Sequence, residues 1–366
     1  MKVETLNLIS FRNYDNEQIK FSPESNIFIG PNGAGKTSIL EAIYVMSFSR
    51  SYKAKDEDLI KYNKEFAKIS TKISIKDDVF DHVMVISKQG KKISINKVAI
   101  RKISDFAGKI SVVLFSPDDM LIFKNGPQER RDLLNNALVQ LSSKYISDYK
   151  VFKDHLKYRN DYLKSLSEKI DLKEDINDGV LDLITENFIK ANKSIYEARL
   201  ECARGLERLI SSIYQKISGT KDTISIEYQT NYENNLDFYK SKYKQDIILG
   251  TTQCGCQRDD LIFKRNNKEF EKNSSQGEQR MLAISIKLAL CELVTKVKGE
   301  PPILLLDDVL SELDLNHQNM LLKSLNKETQ IIITTTDLNK IDQNTISTSK
   351  VFNVQDGHIK EITYGR

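Results

Sequence analysis

The chain has 366 residues, 40% of them hydrophobic and 29% charged, with a formal net charge of +4. That is ample for one large domain or two intimate ones, and too evenly balanced for overall charge to mark a nucleic-acid binder. No run of about 18 apolar residues occurs, the opening MKVETLNLISFRNY lacks a secretory apolar stretch, and four cysteines are too few for a disulfide scaffold; the expectation is a reduced, cytoplasmic protein with no membrane partner.

Residues 1–30 alternate apolar and polar in VETLNLISF, QIKF and NIFIG, which predicts strands feeding a glycine-rich turn. SILEAIYVMSF at 38–48 has helical spacing, with Ile39, Ala42, Ile43 and Met46 apolar. KISTKISI, VMVISK and KKISINKVAI predict a hairpin zone between about 66 and 100, and SVVLF at 111–115 reads as a short buried strand. From Pro127 to Tyr149 the pattern is helical, with Leu134, Leu138, Leu141 and Tyr145 on one face. A second helix is expected from about Val180 to Tyr214, joined to the first by the acidic, exposed connection SEKIDLKEDINDG. TISIEY at 223–228 predicts a strand. The last third alternates: a helix at 276–297, the strand ILLLD, a helix at 316–325, the strand QIIITTT, and a hairpin around Asp356-Gly357. This layout predicts an α/β nucleotide-binding lobe built from both chain ends. Its expected parts are residues 1–117 and 223–366, with a mainly helical lobe inserted at 118–222.

Gly30-Pro31-Asn32-Gly33-Ala34-Gly35-Lys36-Thr37 matches G-x-x-x-x-G-K-[ST] in full, and Ser38 opens the helix behind it. Glycines let successive backbone N–H groups face a phosphate, and the helix N-terminus adds partial positive charge. Lys36 is expected to reach the β and γ phosphates of ATP, and Thr37 to ligate Mg²⁺. The apolar run Ile303 to Leu306 ends in Asp307 and Asp308. Asp307 is expected to support the metal, and Asp308 to polarise the attacking water.

Ser274-Ser275-Gln276-Gly277-Glu278-Gln279-Arg280 resembles the ABC signature, in the form with glutamate at the last position that chromosome-associated ATPases carry. Ser311-Glu312-Leu313-Asp314 looks like the D-loop. In that superfamily the signature serves the nucleotide bound to the partner subunit, so the resemblance implies an ATP-dependent, head-to-head homodimer in which Ser275, Gly277 and Glu278 complete the partner's site. The stretch between Lys36 and Ser275 is longer than a transporter motor domain needs, and far shorter than a coiled-coil arm.

Over its whole length the chain is similar to the RecF family of bacterial DNA replication and repair proteins. Leu8 to Tyr14 carries the resemblance, as do Phe115 to Asp119, Gly126 to Arg131, Ser274 to Arg280 and Pro302 to Asp314. The resemblance implies an ABC-type P-loop ATPase head with an inserted helical lobe and no long coiled coil. The implied work is recombinational repair: binding double-stranded DNA and gap junctions without sequence preference, and helping RecR- and RecO-type mediators load a recombinase. It also points to Arg12 and Asn13 as nucleotide-side residues. Three departures stand out. Gly255-Cys256-Gln257-Arg258-Asp259-Asp260 replaces the usual Gly-Pro-His-Arg-Asp-Asp. No histidine lies near Thr336 at the switch position, and Ser116–Asp119 holds no Q-loop glutamine. Asp308 is one methylene shorter than the usual glutamate, so slow hydrolysis is expected. The alternatives are a transporter nucleotide-binding subunit and an ATP-sensing scaffold with vestigial hydrolysis.

Two basic stretches are candidates for DNA. One is Arg50, Lys53 and Lys55. The other runs over 144–164 and interleaves Lys150, Lys153, Lys157 and Arg159 with tyrosines, which could equally face a core. Cys254 and Cys256 lack the further ligands of a zinc site and read as an incidental pair.

Overall fold

The computed structural model describes residues 1–167 and 178–362, and every structural statement concerns these. The connection expected over 167–179 therefore lies outside the described residues from 168 to 177. In chain order the strands are β1 (Lys2–Phe11), β2 (Tyr14–Lys20), β3 (Ser25–Ile29), β4 (Phe66–Ile75), β5 (Asp78–Ser87), β6 (Gly90–Ile95), β7 (Val98–Ile100), β8 (Val112–Phe115), β9 (Ile224–Gln229), β10 (Asp260–Arg265), β11 (Lys268–Glu269), β12 (Ile303–Asp307), β13 (Ile331–Thr335), β14 (Ser349–Gln355) and β15 (His358–Ile362). The helices are α1 (Lys36–Phe48), α2 (Leu121–Lys124), α3 (Pro127–Leu141), α4 (Ser143–Ser167), α5 (Gly179–Ser218), α6 (Leu236–Lys240), α7 (Tyr243–Leu249), α8 (Gln276–Lys298), α9 (Leu315–Lys323) and α10 (Gln343–Ser347).

Two compact units emerge. The first comprises Met1–Met120, Leu209–Asp222 and Ser275–Arg366. It holds a sheet in the order β15-β14-β3-β13-β12-β8, whose β14, β3, β13, β12 and β8 run parallel. β12 is buried at every position, as a central strand covered on both faces must be. α1 packs on β8, β12 and β13. Residues 39–48 are all buried, so α1 is enclosed all round rather than showing the single apolar face that its spacing suggests. A second, antiparallel sheet has the order β2-β1-β4-β5-β6-β7. Its alternation of buried Ala67, Ile69 and Ile73 with half-buried or exposed Lys68 and Lys72 is that of a sheet with one solvated face.

The second unit comprises Leu121–Arg208 and Thr223–Ser274. Both boundaries expected from sequence move. Residues 223–274 leave the ATPase lobe because β9 pairs with β10, and β10 with β11, in a three-stranded sheet of their own. Residues 209–222, the end of α5 and the turn after it, join the first unit instead. The helix expected over 127–149 is two helices. Ser142 is extended (φ −147°, ψ 115°), and its hydroxyl accepts the Tyr145 N–H at 3.3 Å, restarting the chain as α4.

In this unit Arg130 bonds Asp260 through Nε (2.6 Å) and Nη2 (2.9 Å), and Arg199 donates to the Cys256 carbonyl at 2.7 Å and the Asn135 side chain at 2.9 Å. The departure Gly255-Cys256-Gln257 is thus a structural turn. The Cys256 N–H donates to Asn192 Oδ1 at 2.8 Å, and its thiol, pushed up by burial, lies 3.1 Å from the Tyr232 hydroxyl.

Candidate nucleotide site: a phosphate cradle beside two aspartates

The loop from Gly30 to Gly35 joins β3 to α1 at the carboxyl edge of the parallel strands, where open α/β sheets place their ligands. Two glycines are required by geometry. A Cβ on Gly30 would lie 2.1 Å from the Val354 carbonyl oxygen. Gly35 caps α1 at φ 110°, and a Cβ there would meet the Tyr14 hydroxyl at 2.9 Å. That hydroxyl donates to the Gly35 carbonyl at 2.9 Å, pinning the loop to the end of the first hairpin.

Asn13, Asn32, Gly33, Gly35, Lys36, Thr37, Ser38, Asp307, Asp308 and Thr334 line a cleft of about 250 Å³. Lys36 is buried, and its ammonium donates to the carbonyls of Gly30 and Pro31, each at 2.8 Å. Burial pulls its pKa down, and the charges of Asp308 and Asp307 oppose that shift. Asn13 donates to the Gly33 carbonyl at 3.2 Å. Pro31 and Ala34 shape the loop without lining the cleft.

Asp307 ends β12 almost wholly buried, and donors surround it. The Thr37 hydroxyl (2.8 Å) and the Thr334 hydroxyl (3.0 Å) donate to Oδ1; Lys53 Nζ (3.1 Å) and the Tyr52 hydroxyl (3.3 Å) donate to Oδ2. The phenol is held protonated, because burial and the neighbouring carboxylate push its pKa up. Thr37 and Asp307 offer two hard oxygen donors at the phosphate end of a helix. No cluster of three or more His, Cys, Asp or Glu side chains able to hold a metal occurs among the described residues. This arrangement fits Mg²⁺, which favours one or two protein ligands completed by phosphates and water, better than a dedicated protein cage.

Asp308 adopts a left-handed backbone (φ 57°), uncommon for a residue with a Cβ and a recurrent feature of active sites. Its N–H donates to the Thr334 hydroxyl at 3.0 Å, and Ser311 Oγ lies 2.8 Å from its carboxylate. The serine of the expected D-loop therefore touches the expected general base. The hydroxyl in the switch region that enters the cleft is Thr334, two positions before the expected Thr336.

The signature segment lies at the start of α8. Ser275 and Glu278 form a capping box: the Ser275 N–H donates to Glu278 Oε2 at 2.7 Å, and the Glu278 N–H to Ser275 Oγ at 3.3 Å. Glu278, expected on the nucleotide, thus has its carboxylate turned back onto its own helix end. Ser275, Gln276 and Gly277 are exposed, and Ser275, Gly277 and Glu278 do not line the cleft of their own chain. Arg280 pairs with Glu312 at 2.9 Å, tying the signature helix to the D-loop. Lys287 pairs with Asp119 at 2.8 Å, tying the same helix to the segment at the Q-loop place.

Several expected residues sit elsewhere. Arg12 is not in the cleft; its guanidinium makes a bidentate pair with the buried Glu41, both contacts at 2.7 Å. Lys53, expected on a DNA-facing surface, is on Asp307. Arg50 and Lys55 are exposed, as are Lys150, Lys153 and Lys157 along α4. Arg159 is fully buried, paired with Asp246 at 2.8 Å, and of the interleaved aromatics Tyr145 and Phe152 face the core. Tyr52 and Thr334 escaped sequence reading. A threonine run closing a strand beside a P-loop was the available signal for Thr334; nothing local marked Tyr52.

The chain is similar to known proteins along nearly its whole length. The model of the RecF/RecN/SMC N terminal domain family matches residues 2–360. The DNA replication and repair protein RecF of Bacillus pumilus (strain SAFR-032) is 34% identical over 372 residues, covering 98% of this chain and 100% of that protein. RecF of Bacillus subtilis (strain 168) is 34% identical over 370 residues, covering 98% and 99%. A solved structure of the recombination mediator protein RecF-ATPrS in the RecFOR pathway superposes with a TM-score of 0.88 at 26% identity, covering 99% of this chain and 98% of that one. An Smc head bound to the C-winged helix domain of ScpA shares the fold, with a TM-score of 0.55 at 19% identity over 100% and 98% of the two chains. The fold is an ABC-type ATPase head with an inserted, mainly helical lobe, and no helix among the described residues is long and apolar enough to cross a membrane. A full-length match to these repair proteins, on a chain whose P-loop and paired aspartates converge on one cleft, places it in the RecF family of DNA replication and repair proteins.

Proposed function

We propose that this chain is an ATP-dependent DNA-binding protein of recombinational repair. ATP joins two copies head to head on gapped or single/double-strand junction DNA, and slow hydrolysis releases them. The observation that carries this reading is the division of the site. Lys36, Thr37, Asp307 and Asp308 share one cleft, while Ser275 and Gly277 stand exposed at the start of α8, outside it. A second copy supplies what each cleft lacks. RecF structures named for ATP and for ATPrS support the choice of nucleotide, and their naming in the RecFOR pathway supports RecO and RecR as partners in recombinase loading.

In this reading the P-loop amides and Lys36 bind the β and γ phosphates, Asn13 borders the nucleotide, and Thr37 with Asp307 holds Mg²⁺. The metal supplies neutralisation of charge on the phosphate oxygens. Asp308 takes the proton of the attacking water, oriented by Ser311. Arg50, Lys55, Lys150, Lys153 and Lys157 are the proposed DNA contacts, made to phosphates rather than bases.

The test is phosphate release from ATP and Mg²⁺, with and without gapped duplex. The reading predicts slow release that the gapped duplex accelerates; equal rates with and without DNA contradict the DNA-timed cycle. In the same assay Asp308→Ala is expected to lower kcat by roughly 10²- to 10⁴-fold, the usual range for a lost general base. Asp308→Glu should turn over at least as fast as the wild type, and a large drop would remove Asp308 from that role.

A further inference from the structure

Asp307 carries a donor for each of its carboxylate lone pairs. Its two carboxylate oxygens take four donors: two threonine hydroxyls at 2.8 and 3.0 Å on Oδ1, and the Lys53 ammonium at 3.1 Å and the Tyr52 hydroxyl at 3.3 Å on Oδ2. The Asp307 side chain is only 5% exposed, so these donors rather than solvent occupy its lone pairs. A divalent cation can bind this carboxylate directly only if a donor leaves.

The four donors are unequal. Thr37 opens α1 and Thr334 lies within β13, both fixed by backbone hydrogen bonding. The Tyr52 ring packs edge-on against Tyr44, with centroids 4.9 Å apart. Lys53 alone among them is a cation, so it alone repels an incoming metal. Its side chain is 37% exposed on a flexible stem, in the loop after α1, and it can withdraw into water. While it stays, Lys36 and Lys53 balance the charges of Asp307 and Asp308.

We infer that Lys53 is a resident counter-cation of Asp307, a latch on its Oδ2 that Mg²⁺ must displace to bind this carboxylate directly. The inference rests on the reading of this cleft as a Mg²⁺–nucleotide site. It assigns Lys53 a role opposite in sign to a phosphate contact. A phosphate-binding lysine strengthens nucleotide binding, whereas a latch lowers the metal affinity.

The experiment uses the full chain and a fluorescent ATP analogue, mant-ATP. Nucleotide binding is measured in EDTA, and then as a function of Mg²⁺ at fixed mant-ATP, for the wild type, Lys53→Met and Lys53→Arg. Methionine keeps much of the stem and removes the charge; arginine keeps the charge. For Lys53→Met the latch predicts a half-saturating Mg²⁺ concentration lower by about fivefold, the order of a half-exposed ion pair. It predicts no loss of mant-ATP affinity in EDTA, and for Lys53→Arg a Mg²⁺ midpoint near the wild-type value. An unchanged or higher midpoint in Lys53→Met overturns the latch. Weaker mant-ATP binding by Lys53→Met in EDTA overturns it in favour of a phosphate contact. A wild type that binds no mant-ATP under either condition overturns the nucleotide reading and the latch together, which separates the two failures.

Discussion

Lys36→Ala is expected to lower kcat for ATP hydrolysis on the order of 10²- to 10³-fold, the loss typical when a charged group aimed at the reacting oxygens is removed. Lys36 is 7% exposed, and its ammonium rests on the Gly30 and Pro31 carbonyls at 2.8 Å. It is thus stored within the loop that would hold the phosphates, and it exchanges two neutral acceptors for anionic ones. The proximity of Asp307 and Asp308 favours the charged form against the cost of burial. Lys36 lines the cleft and its contact to the Pro31 carbonyl is only part-buried, so water can enter where the ammonium was and the variant should remain folded. Mant-ATP titration and phosphate release check the effect, with thermal unfolding as the control. Wild-type turnover in the alanine variant would remove Lys36 from the site.

The second large effect is structural and lies in the other unit. Arg159→Ala is expected to cost about 3–5 kcal/mol of stability, the usual result of leaving a buried charge without its partner. The Arg159 Nη1 donates to Asp246 at 2.8 Å and lies 2.7 Å from Thr252 Oγ1, while Nε donates to Thr185 at 3.1 Å. The rings of Phe188, Tyr239 and Tyr243 surround the guanidinium, with centroids 5.9, 5.7 and 5.9 Å from it. Arg159 and Asp246 are both fully buried, so removing the arginine strands the carboxylate.

Burial already pushes the Asp246 pKa above the usual carboxylate range, and Arg159 restrains that rise. Without Arg159 the folded-state pKa climbs further above its unfolded value. The stability of the variant is then greatest below the unfolded pKa and falls as pH rises through the folded one. Urea unfolding should show a smaller deficit at about pH 5 than at about pH 8. A deficit under about 1 kcal/mol at both values would mean that the pair is not closed as described.

Much of the candidate site was legible because it is local. The P-loop carries its own turn chemistry between a strand and a helix, and ILLLDD places two acids at a strand end. Ser275 and Glu278 have the spacing of a capping box, serine followed three residues later by glutamate, but the resemblance to a signature motif set both on the partner's nucleotide instead. The same spacing shows why Glu278 turns back on its helix instead of outward.

What sequence did not yield depends on distant contacts. Lys53 and Arg50 look alike in a basic loop, and only the return of β12 to that loop puts Asp307 under Lys53. Arg12 looks free until α1 presents Glu41 to it. TISIEY reads as a strand of either unit, and its pairing with β10 decides which. Arg159 and the tyrosines around it fit a DNA-binding stripe by composition, but the α4 face that carries Arg159 is turned inward. Thr334, inside β13, meets Asp307 because the strand register pairs the two, whereas Thr336 lies beyond the end of the strand.

Sedimentation velocity shows whether each cleft is completed by the Ser275 of a second copy. Wild type and Ser275→Arg are compared with and without ATP and Mg²⁺, with mant-ATP binding measured on both. The arginine adds bulk and charge at an exposed helix start outside the cleft of its own chain, so the monomer should still bind nucleotide. ATP and Mg²⁺ should convert the wild type from monomer to dimer, while Ser275→Arg binds nucleotide and stays a monomer. If both proteins keep one mass whatever the nucleotide, or both dimerise alike, the two-copy site is contradicted.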